Sequence, residues 1–356
     1  MAFNYDFGSY NVNNSKPLIT REQNYVIDRK LVSIHSEDRD ITMYRDANHF
    51  FVTLPQPLLN VQSLRLVQST FPIDYYTFSN NYENTQFRFT YNDKAYCATI
   101  QEGTYTPCQL ATELTNVMND LIDDGSLGFV PSFSVYYDPV GNQLWFGNTT
   151  QSFTLDFDCK MEYNISCEKR KYSIWFNYAY WGLPYYLGYK KQKYTATDDS
   201  KLIPKFNYLQ PALPGGVPIK YVVVPEQGRV IDIGGEKDIY MEVEKYNSYD
   251  EIYPYTESNK EAYSNNAYTG KVNSAFAKIP LDPTTVQNSR NLLLVNFVQY
   301  EPPIERIARL EFTFRFHDGR YVDFRGLEFN FTLEFNSLRP EILRNKNIRT
   351  PAMIAL

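Results

Sequence analysis

The most regular pattern of hydrophobic and polar positions lies between Ile304 and Leu338. Apolar residues, mostly phenylalanines, alternate with polar ones over 310–316 and again over 329–335. A period of two places the aromatic side chains on one face of a strand and the polar side chains on the other. The intervening Asp318-Gly319 can supply the positive φ of a tight turn. This stretch therefore predicts a β-meander whose aromatic face needs a second layer to cover it.

Shorter runs with strand character recur along the rest of the chain. They fall at 31–34, 50–54, 61–71, 87–91, 95–100, 133–137, 143–146, 153–157, 221–224, 230–233, 239–244, 275–279 and 292–300. Pro55 and Pro57 lack the N–H that a β-ladder uses, so they are expected to separate the second of these strands from the third. The pattern predicts a mainly β protein built from antiparallel strands.

One helix interrupts the strands. Thr106 is expected to cap it, with Pro107 in the first helical position and Gln109 placed to complete a capping box. Apolar residues recur every three or four positions from Leu110 to Ile122, and Gly125 is expected to end the helix.

These elements suggest a division of the chain. We expect residues 31–84 and 196–340 to form a discontinuous antiparallel β-sandwich, similar to a jelly roll. Residues 85–195 would be an inserted α+β unit with one amphipathic helix. Residues 1–30, rich in Asn, Tyr and Ser and without a clear periodicity over their length, would be an extended arm. Residues 341–356 would form a basic tail.

Composition changes the picture in one respect. Aromatic residues make up 16% of the chain, with 31 Tyr and 24 Phe. Tyrosine suits half-buried strands, and it is also enriched at protein interfaces. Two stretches combine tyrosine with polar residues and predict contact surfaces or packed loops, namely 172–191 and 247–268.

Charge and targeting signals narrow the function classes. The net charge of −6 argues against a protein that coats nucleic acid. The sequence has no apolar run long enough for a membrane span and no signal-peptide pattern at its start, so a cytosolic product is expected. The four cysteines form no CxxC pair and are expected to be reduced thiols: Cys97, Cys108, Cys159 and Cys167.

Three candidates for chemistry were weighed. The acidic stretch 36–46 could suggest a cation site, but Arg39 and Arg45 lie within it, which favours an ionic and Asx-turn network. His317 lies in a predicted turn with no local carboxylate or nucleophile, so a structural role is expected. Glu242 and Glu244 are two residues apart on one strand, which favours a solvated strand face over a pair of opposed carboxylates.

Well-known catalytic and nucleotide-binding motifs are absent from the sequence. The nucleophile elbow, P-loop, dinucleotide fingerprint and zinc-protease motif do not occur in the sequence. The sequence therefore predicts no enzyme activity, no catalytic residues, no cofactor and no metal site.

A series of short motifs, in order along the chain, resembles minor capsid proteins of nucleocytoplasmic large DNA viruses. The motifs are spread over most of residues 31–340, and none of them lies in the arm or the tail. They are Ser36-Glu37-Asp38-Arg39-Asp40, Leu54-Pro55-Gln56-Pro57, Asn60-Val61-Gln62-Ser63-Leu64, Glu102-Gly103-Thr104-Tyr105-Thr106, Leu187-Gly188-Tyr189, 239–242 with Asp250-Glu251, 270–280, Tyr300-Glu301-Pro302-Pro303 with Arg306-Ile307, and Phe316-His317-Asp318-Gly319-Arg320.

The resemblance implies a structural virion protein of a giant virus. Such a protein would lie on the inner side of the outer capsid shell and cross-link or stabilise capsomers of the major capsid protein. Its expected partners are major capsid protein trimers and other minor capsid proteins, with further copies of itself and the inner viral membrane as additional candidates. Assembly would take place in the host cytoplasm, without specific nucleic acid or a small-molecule substrate.

Two other functions remain open at this point. The Tyr- and Trp-rich stretch 172–191 could stack on sugars, as in a receptor- or glycan-binding β-sandwich of the penton or fibre-base type. A hydrolase on a β scaffold would need a cleft with opposed carboxylates, which a sequence alone does not exclude.

Overall fold

The computed structural model describes residues 25–72, 76–123, 125, 129–163, 173, 181–198, 218–226, 228–252, 272–281 and 297–340. The predicted mainly antiparallel β fold is confirmed, since every strand pairing is antiparallel.

The elements are numbered in chain order. The strands are β1 (Tyr25–His35), β2 (His49–Thr70), β3 (Gln86–Tyr91), β4 (Lys94–Thr99), β5 (Phe133–Asp138), β6 (Gln143–Asn148), β7 (Phe153–Asp156), β8 (Lys193–Thr195), β9 (Tyr221–Val223), β10 (Asp238–Val243), β11 (Tyr249–Ile252), β12 (Val272–Ala275), β13 (Ala277–Pro280), β14 (Phe297–Arg315) and β15 (Asn330–Pro340). The α-helices are α1 (Pro107–Ile122) and α2 (Leu183–Tyr186), and short 3-10 turns occur at Ser36–Asp38 and Asn80–Tyr82.

The largest sheet has six strands in the order β1-β15-β2-β14-β10-β13. This order corrects the predicted meander, because β2 lies between β14 and β15, which are therefore not adjacent strands. The turn at Asp318-Gly319 does form locally, with Gly319 at φ +87° and its N–H bonded to the Phe316 carbonyl. After the turn the chain crosses to the other side of β2, where it forms β15. The alternation of apolar and polar residues predicts the strands themselves, but it does not predict which strands are neighbours in the sheet.

Pro55 and Pro57 do not end a strand, as the sequence had suggested. They lie inside the 22-residue strand β2, between Thr53, which is opposite Arg309, and Leu58, which is opposite Ile307. The register shifts there, so the missing N–H groups of the prolines fall at a bulge and no regular ladder position is lost. Bulges of this kind let a long strand bend and pass from one layer of a sandwich to the other.

The bend closes an aromatic core. Phe312 of β14 and Phe331 of β15 are separated by β2 within the sheet, yet their ring centroids are 5.0 Å apart. Phe314 approaches Phe329 to the same distance, and Phe50 of β2 is fully buried beside them. Each fully buried phenylalanine contributes about 2–3 kcal/mol from removal of apolar area. The two halves of the bent sheet therefore cover each other's aromatic faces.

A second core surrounds α1. The sheets β4-β3-β7-β8 and β5-β6-β9 contribute aromatic side chains to it, and α1 adds Leu110, Leu114 and Met118. The predicted capping box is confirmed: the Gln109 N–H donates to the Thr106 hydroxyl oxygen, and the Thr106 N–H donates to Gln109 Oε1. The helix ends at Ile122, and Gly125 follows at φ +73°.

Several predicted boundaries differ from the structure. Residues 25–30, assigned to the arm, are the first half of β1. Residues 221–223, assigned to the sandwich, pair with β6 instead, and Ile231 packs in the second core. Residues 230–233 do not form a strand, because the N–H groups of Ile231 and Asp232 donate to the carbonyls of Asn142, in a turn, and Tyr186, at the end of α2. The division into a sandwich and an inserted unit stays a prediction.

Some predictions fall outside the described residues. These are the arm over 1–24, the tail over 341–356, residues 172 and 174–180 of the stretch 172–191, and residues 253–268 of the stretch 247–268.

Candidate interaction surfaces

An ionic cluster at the end of β14 contains the candidate histidine. The buried guanidinium of Arg315 pairs through Nε with Glu242 of β10 and through Nη1 with Glu251 of β11. His317 Nδ1 lies 2.9 Å from the other oxygen of Glu251. Burial alone would raise the pKa of Glu251, but hydrogen bonds from His317 and Arg315 outweigh burial and hold this pKa below its ordinary value. The cluster ties the two-stranded sheet β11-β12 to the six-stranded sheet.

The sequence analysis predicted no carboxylate partner for His317. Glu251 lies 66 residues away in the chain and reaches the histidine only through tertiary structure. Glu242 also departs from the expected solvated strand face, because its carboxylate binds Arg315. That His317 serves the local structure stays a prediction.

A neighbouring cleft is bordered by charges of both signs. Arg320 is buried and binds Asp318 Oδ2 and Glu236 Oε1, each at 2.6 Å, while Lys278 lies 3.0 Å from Asp238. Burial raises the pKa of Glu236 despite the attraction of Arg320. Each of these three carboxylates is paired with a cation, and Asp318 and Glu236 share Arg320, whereas a glycosidase-type site needs carboxylates opposed across a substrate.

The acidic stretch 36–46 contains a buried arginine and an Asx turn. Arg39 is buried and grips the Glu328 carboxylate with both terminal nitrogens, at 2.8 and 3.2 Å. The Arg39 Nε also donates to the Tyr44 carbonyl at 3.1 Å. Asp40 Oδ1 accepts the N–H of Thr42 at 3.0 Å, which is an Asx turn. The predicted Asx turn is therefore present, whereas the ionic partner of Arg39 is Glu328, which lies outside the stretch.

Among the described residues, no group of three or more His, Cys, Asp or Glu side chains is placed to hold a metal ion. No helix among them is both long and apolar enough to cross a membrane. Cys97, Cys108 and Cys159 are free thiols, and Cys167 lies outside the described residues.

The margin of the six-stranded sheet exposes apolar side chains. In β1, Tyr25, Ile27 and Leu31 point to one face and are 53%, 60% and 55% exposed. The side chains of Val32 and Ile34 point to the other face, where they pack against the core. An exposed apolar row along a strand edge is the kind of feature that marks a protein contact.

The backbone of the same strand is open on its outer side. The Ser36 N–H donates to the Phe329 carbonyl, and the antiparallel register continues this pairing through β1. Hydrogen-bonded and non-bonded pairs alternate along an antiparallel ladder. The backbone N–H and C=O groups of even-numbered β1 residues therefore point toward β15, and those of odd-numbered residues point away from the sheet. The outward N–H and C=O groups of Ile27, Arg29, Leu31 and Ser33 have no strand partner among the described elements.

A buried carboxylate joins β1 to the two strands beside it. Glu334 of β15 is 4% exposed and pairs with Arg29 of β1 and Arg65 of β2. Burial would raise its pKa, but hydrogen bonds from Arg65 and Asn336 bring this pKa below its ordinary value. The three strands are therefore locked together on the face that carries the exposed apolar row.

The sequence analysis had not identified this margin as a site. Its signal is the period of two through Tyr25, Ile27 and Leu31, which was hidden because residues 25–30 were assigned to the arm. Which edge of the strand would be free was not predictable, because that depends on the distant strand β15.

Comparisons with known proteins give weak matches. No family model matches the chain, and no curated protein matches it. Among solved structures the chain is similar to the mavirus penton protein, with 10% identity over 88% of this chain and 100% of that chain, at a TM-score of 0.35. It is also similar to a chain of the Sputnik virophage, with 12% identity over 89% of this chain and 98% of that chain, at a TM-score of 0.33. At these TM-scores the fold has to be argued from the strands of this chain itself.

Proposed function

We propose that this chain is a structural capsid protein that joins neighbouring capsomers through its two terminal segments. One observation carries the proposal. Tyr25, the first residue of β1, lies opposite Pro340, the last residue of β15. The points at which residues 1–24 and residues 341–356 join the six-stranded sheet are therefore adjacent, at one end of β1.

The chemistry of the two segments suits contacts with other proteins. Residues 1–24 contain aromatic and amide side chains, which combine buried area with hydrogen bonding at interfaces. Residues 341–356 carry Arg344, Lys346 and Arg349 against the single acid Glu341. A basic segment would orient the protein on an acidic surface of a partner, because charged groups at an interface mainly determine the orientation of the two proteins and the rate at which they associate.

The internal charges support a structural role. Arg39, Arg315 and Arg320 are buried, and each is held by carboxylates or backbone carbonyls within the sheet and its turns. Such networks fix one arrangement of strands and turns. We infer a protein that acts through surface complementarity without catalysis.

The resemblance of the short motifs to minor capsid proteins supports a finer assignment. On that basis the chain would lie beneath the outer shell of a giant-virus capsid and contact major capsid protein trimers and other minor capsid proteins. The sheet and the inserted unit would be the framework, and the terminal segments would bridge to neighbours.

Shell assembly with the major capsid protein tests this proposal. The full chain should co-sediment with assembled shells, and a deletion of residues 1–24 should not. The deletion ends before β1, because removing 25–30 would break its ladder with β15 and confound the result. An unchanged urea midpoint for the truncated chain is the folding control.

Two outcomes would count against it. Absence of the full chain from shells would refute the capsid role. Normal incorporation of the truncated chain would refute the role of residues 1–24.

A further inference from the structure

The free edge of β1 is built to receive another strand. Over its 11 residues, the outward backbone groups belong to odd-numbered residues, and three of these residues, Tyr25, Ile27 and Leu31, expose apolar side chains. A long open edge with apolar side chains pairs readily with an extended segment, and proteins normally cover such edges. A strand added here would satisfy the backbone groups and bury Ile27 and Leu31 together.

The charges of β1 indicate what the added strand should carry. Asp28 lies 2.6 Å from Arg339, and Arg29 pairs with Glu334. Lys30 is exposed, and within the described part of the chain it has no ion-pair partner. The complementary segment should therefore alternate aromatic or aliphatic residues with polar ones and place an acid beside Lys30.

Residues 3–7 have this pattern. They read Phe3-Asn4-Tyr5-Asp6-Phe7, with three aromatic residues at a period of two and one acid between them. If the segment runs parallel to β1 with Asp6 beside Lys30, Phe3 falls beside Ile27 and Phe7 beside Leu31. Aromatic and aliphatic residues, and opposite charges, are favourable neighbours on adjacent strands.

We propose that residues 3–7 of a neighbouring copy add to the free edge of β1. The inference rests on the proposed function for its place in a shell. Donor and acceptor surfaces differ, so the contact is heterologous and can link copies in series, as a lattice requires.

The connection between the two sites is long enough to reach a neighbouring copy. Residues 8–24 separate the donor run from β1, and at about 3.3 Å per residue an extended connection of this length spans roughly 55 Å. A parallel strand added from the same chain would have to return to its own edge by a crossover over one face of the sheet. Addition to a neighbouring copy needs no such crossover, and it differs from addition to the same chain in making the association depend on concentration.

Complementary variants of the full chain test the proposal in solution. Leu31→Pro removes an outward N–H and keeps the ladder with β15, so it should disable the acceptor. Phe3→Ser combined with Phe7→Ser should disable the donor. Sedimentation equilibrium should show concentration-dependent association of the parent chain, at least ten-fold weaker association of either variant alone, and a one-to-one dimer when the two variants are mixed.

A charge exchange provides a second test that leaves the backbone intact. Lys30→Glu should weaken association about two- to five-fold, the range expected for one cross-strand charge pair. Adding Asp6→Lys to Lys30→Glu should restore association to within about two-fold of the parent. If circular dichroism shows that Leu31→Pro is unfolded, the comparison of Lys30→Glu with the double variant Lys30→Glu and Asp6→Lys tests the strand addition instead.

The outcomes that overturn the proposal are distinct. A parent chain that is monomeric at every concentration refutes it, and so does a mixture of donor and acceptor variants that stays monomeric. Association that survives Phe3→Ser with Phe7→Ser would mean that two β1 edges pair with each other. Intact self-association without incorporation into shells would refute the proposed function and leave the strand addition standing.

Discussion

Arg315 and Glu251 form an ion pair in which both side chains are only 6% exposed. The pair joins the last residue of β14 to β11, whose only strand partner among the described elements is β12. Glu242 holds the guanidinium from the other side. The small sheet β11-β12 is therefore attached to the large sheet through a desolvated charge, and loss of either carboxylate would leave that charge poorly compensated.

Glu251→Gln should lower the free energy of unfolding by about 2–3 kcal/mol. Breaking a buried pair from one side usually costs about 3–5 kcal/mol, and the remaining Glu242 should moderate this cost. Urea unfolding followed by tryptophan fluorescence measures the change. Glu305→Gln makes the same chemical change at an exposed site of β14 and should alter the free energy by less than about 0.5 kcal/mol. Equal stabilities of the two variants would show that the Arg315 cluster does not hold the sheets together.

Acid should destabilise the protein through Glu251 and Glu334. The pKa of each is lowered in the folded state, so at mildly acidic pH the unfolded chain binds more protons than the folded one. Their contribution to stability is present above the ordinary glutamate pKa and is lost as pH falls through the lower folded value. The urea midpoint should therefore be lower at pH 3 than at pH 6. The decline should begin near the ordinary glutamate pKa of about 4.3.

Glu334→Gln isolates one of these groups. It should lower stability at pH 6, because Arg29 and Arg65 lose their shared carboxylate, and it should flatten the fall on acidification. A variant with an unchanged pH slope would show that Glu334 does not contribute to the acid response.

Features set by neighbouring residues were predictable from the sequence. The capping box at Thr106 and Gln109 involves residues three apart, so its hydrogen bonds follow from local conformation alone. The hairpin of β3 and β4 turns at Asn92-Asp93, between the predicted strands 87–91 and 95–100, because both residues adopt positive φ at modest cost. In both places the residue types leave few alternatives.

Features set by distant residues were not predictable. Local alternation shows that β14 and β15 are strands, but it does not show that β2 inserts between them. Pro55 and Pro57 look like strand ends until the bulge opposite Arg309 and Ile307 is known. The β1 margin depends on the same long-range register, since only pairing with β15 decides which groups of β1 remain outward.

Thr106→Ala should weaken α1 by removing its cap. The Thr106 hydroxyl accepts the Gln109 N–H, and the loss of such a cap usually costs about 1 kcal/mol. Thermal and urea unfolding should both show the loss. Thr106→Ser keeps the acceptor oxygen and should retain most of the parent stability. If serine and alanine destabilise equally, the capping hydrogen bond contributes nothing at this position.

Gly188→Ala should be strongly destabilising, because two independent constraints meet at this residue. Gly188 has φ +83°, and a Cβ there would lie 2.6 Å from the Val230 carbonyl oxygen. The contact involves backbone on both sides, so no side chain can rotate away, and the segment is further pinned by the Asp232 N–H donating to the Tyr186 carbonyl at 2.9 Å. Left-handed backbone costs about 1 kcal/mol for alanine and overpacking adds about 1–3 kcal/mol.

The matched control for this variant is Gly103→Ala. A Cβ at Gly103 would meet no atom within 4 Å, and that residue has no positive φ. Its free energy of unfolding should stay within about 0.5 kcal/mol of the parent, against a loss of about 2–4 kcal/mol for Gly188→Ala. Urea unfolding of the two variants in parallel measures both. Equal effects would mean that the turn after α2 can move away from Val230, so that this contact does not fix how residues 228–233 pack on the second core.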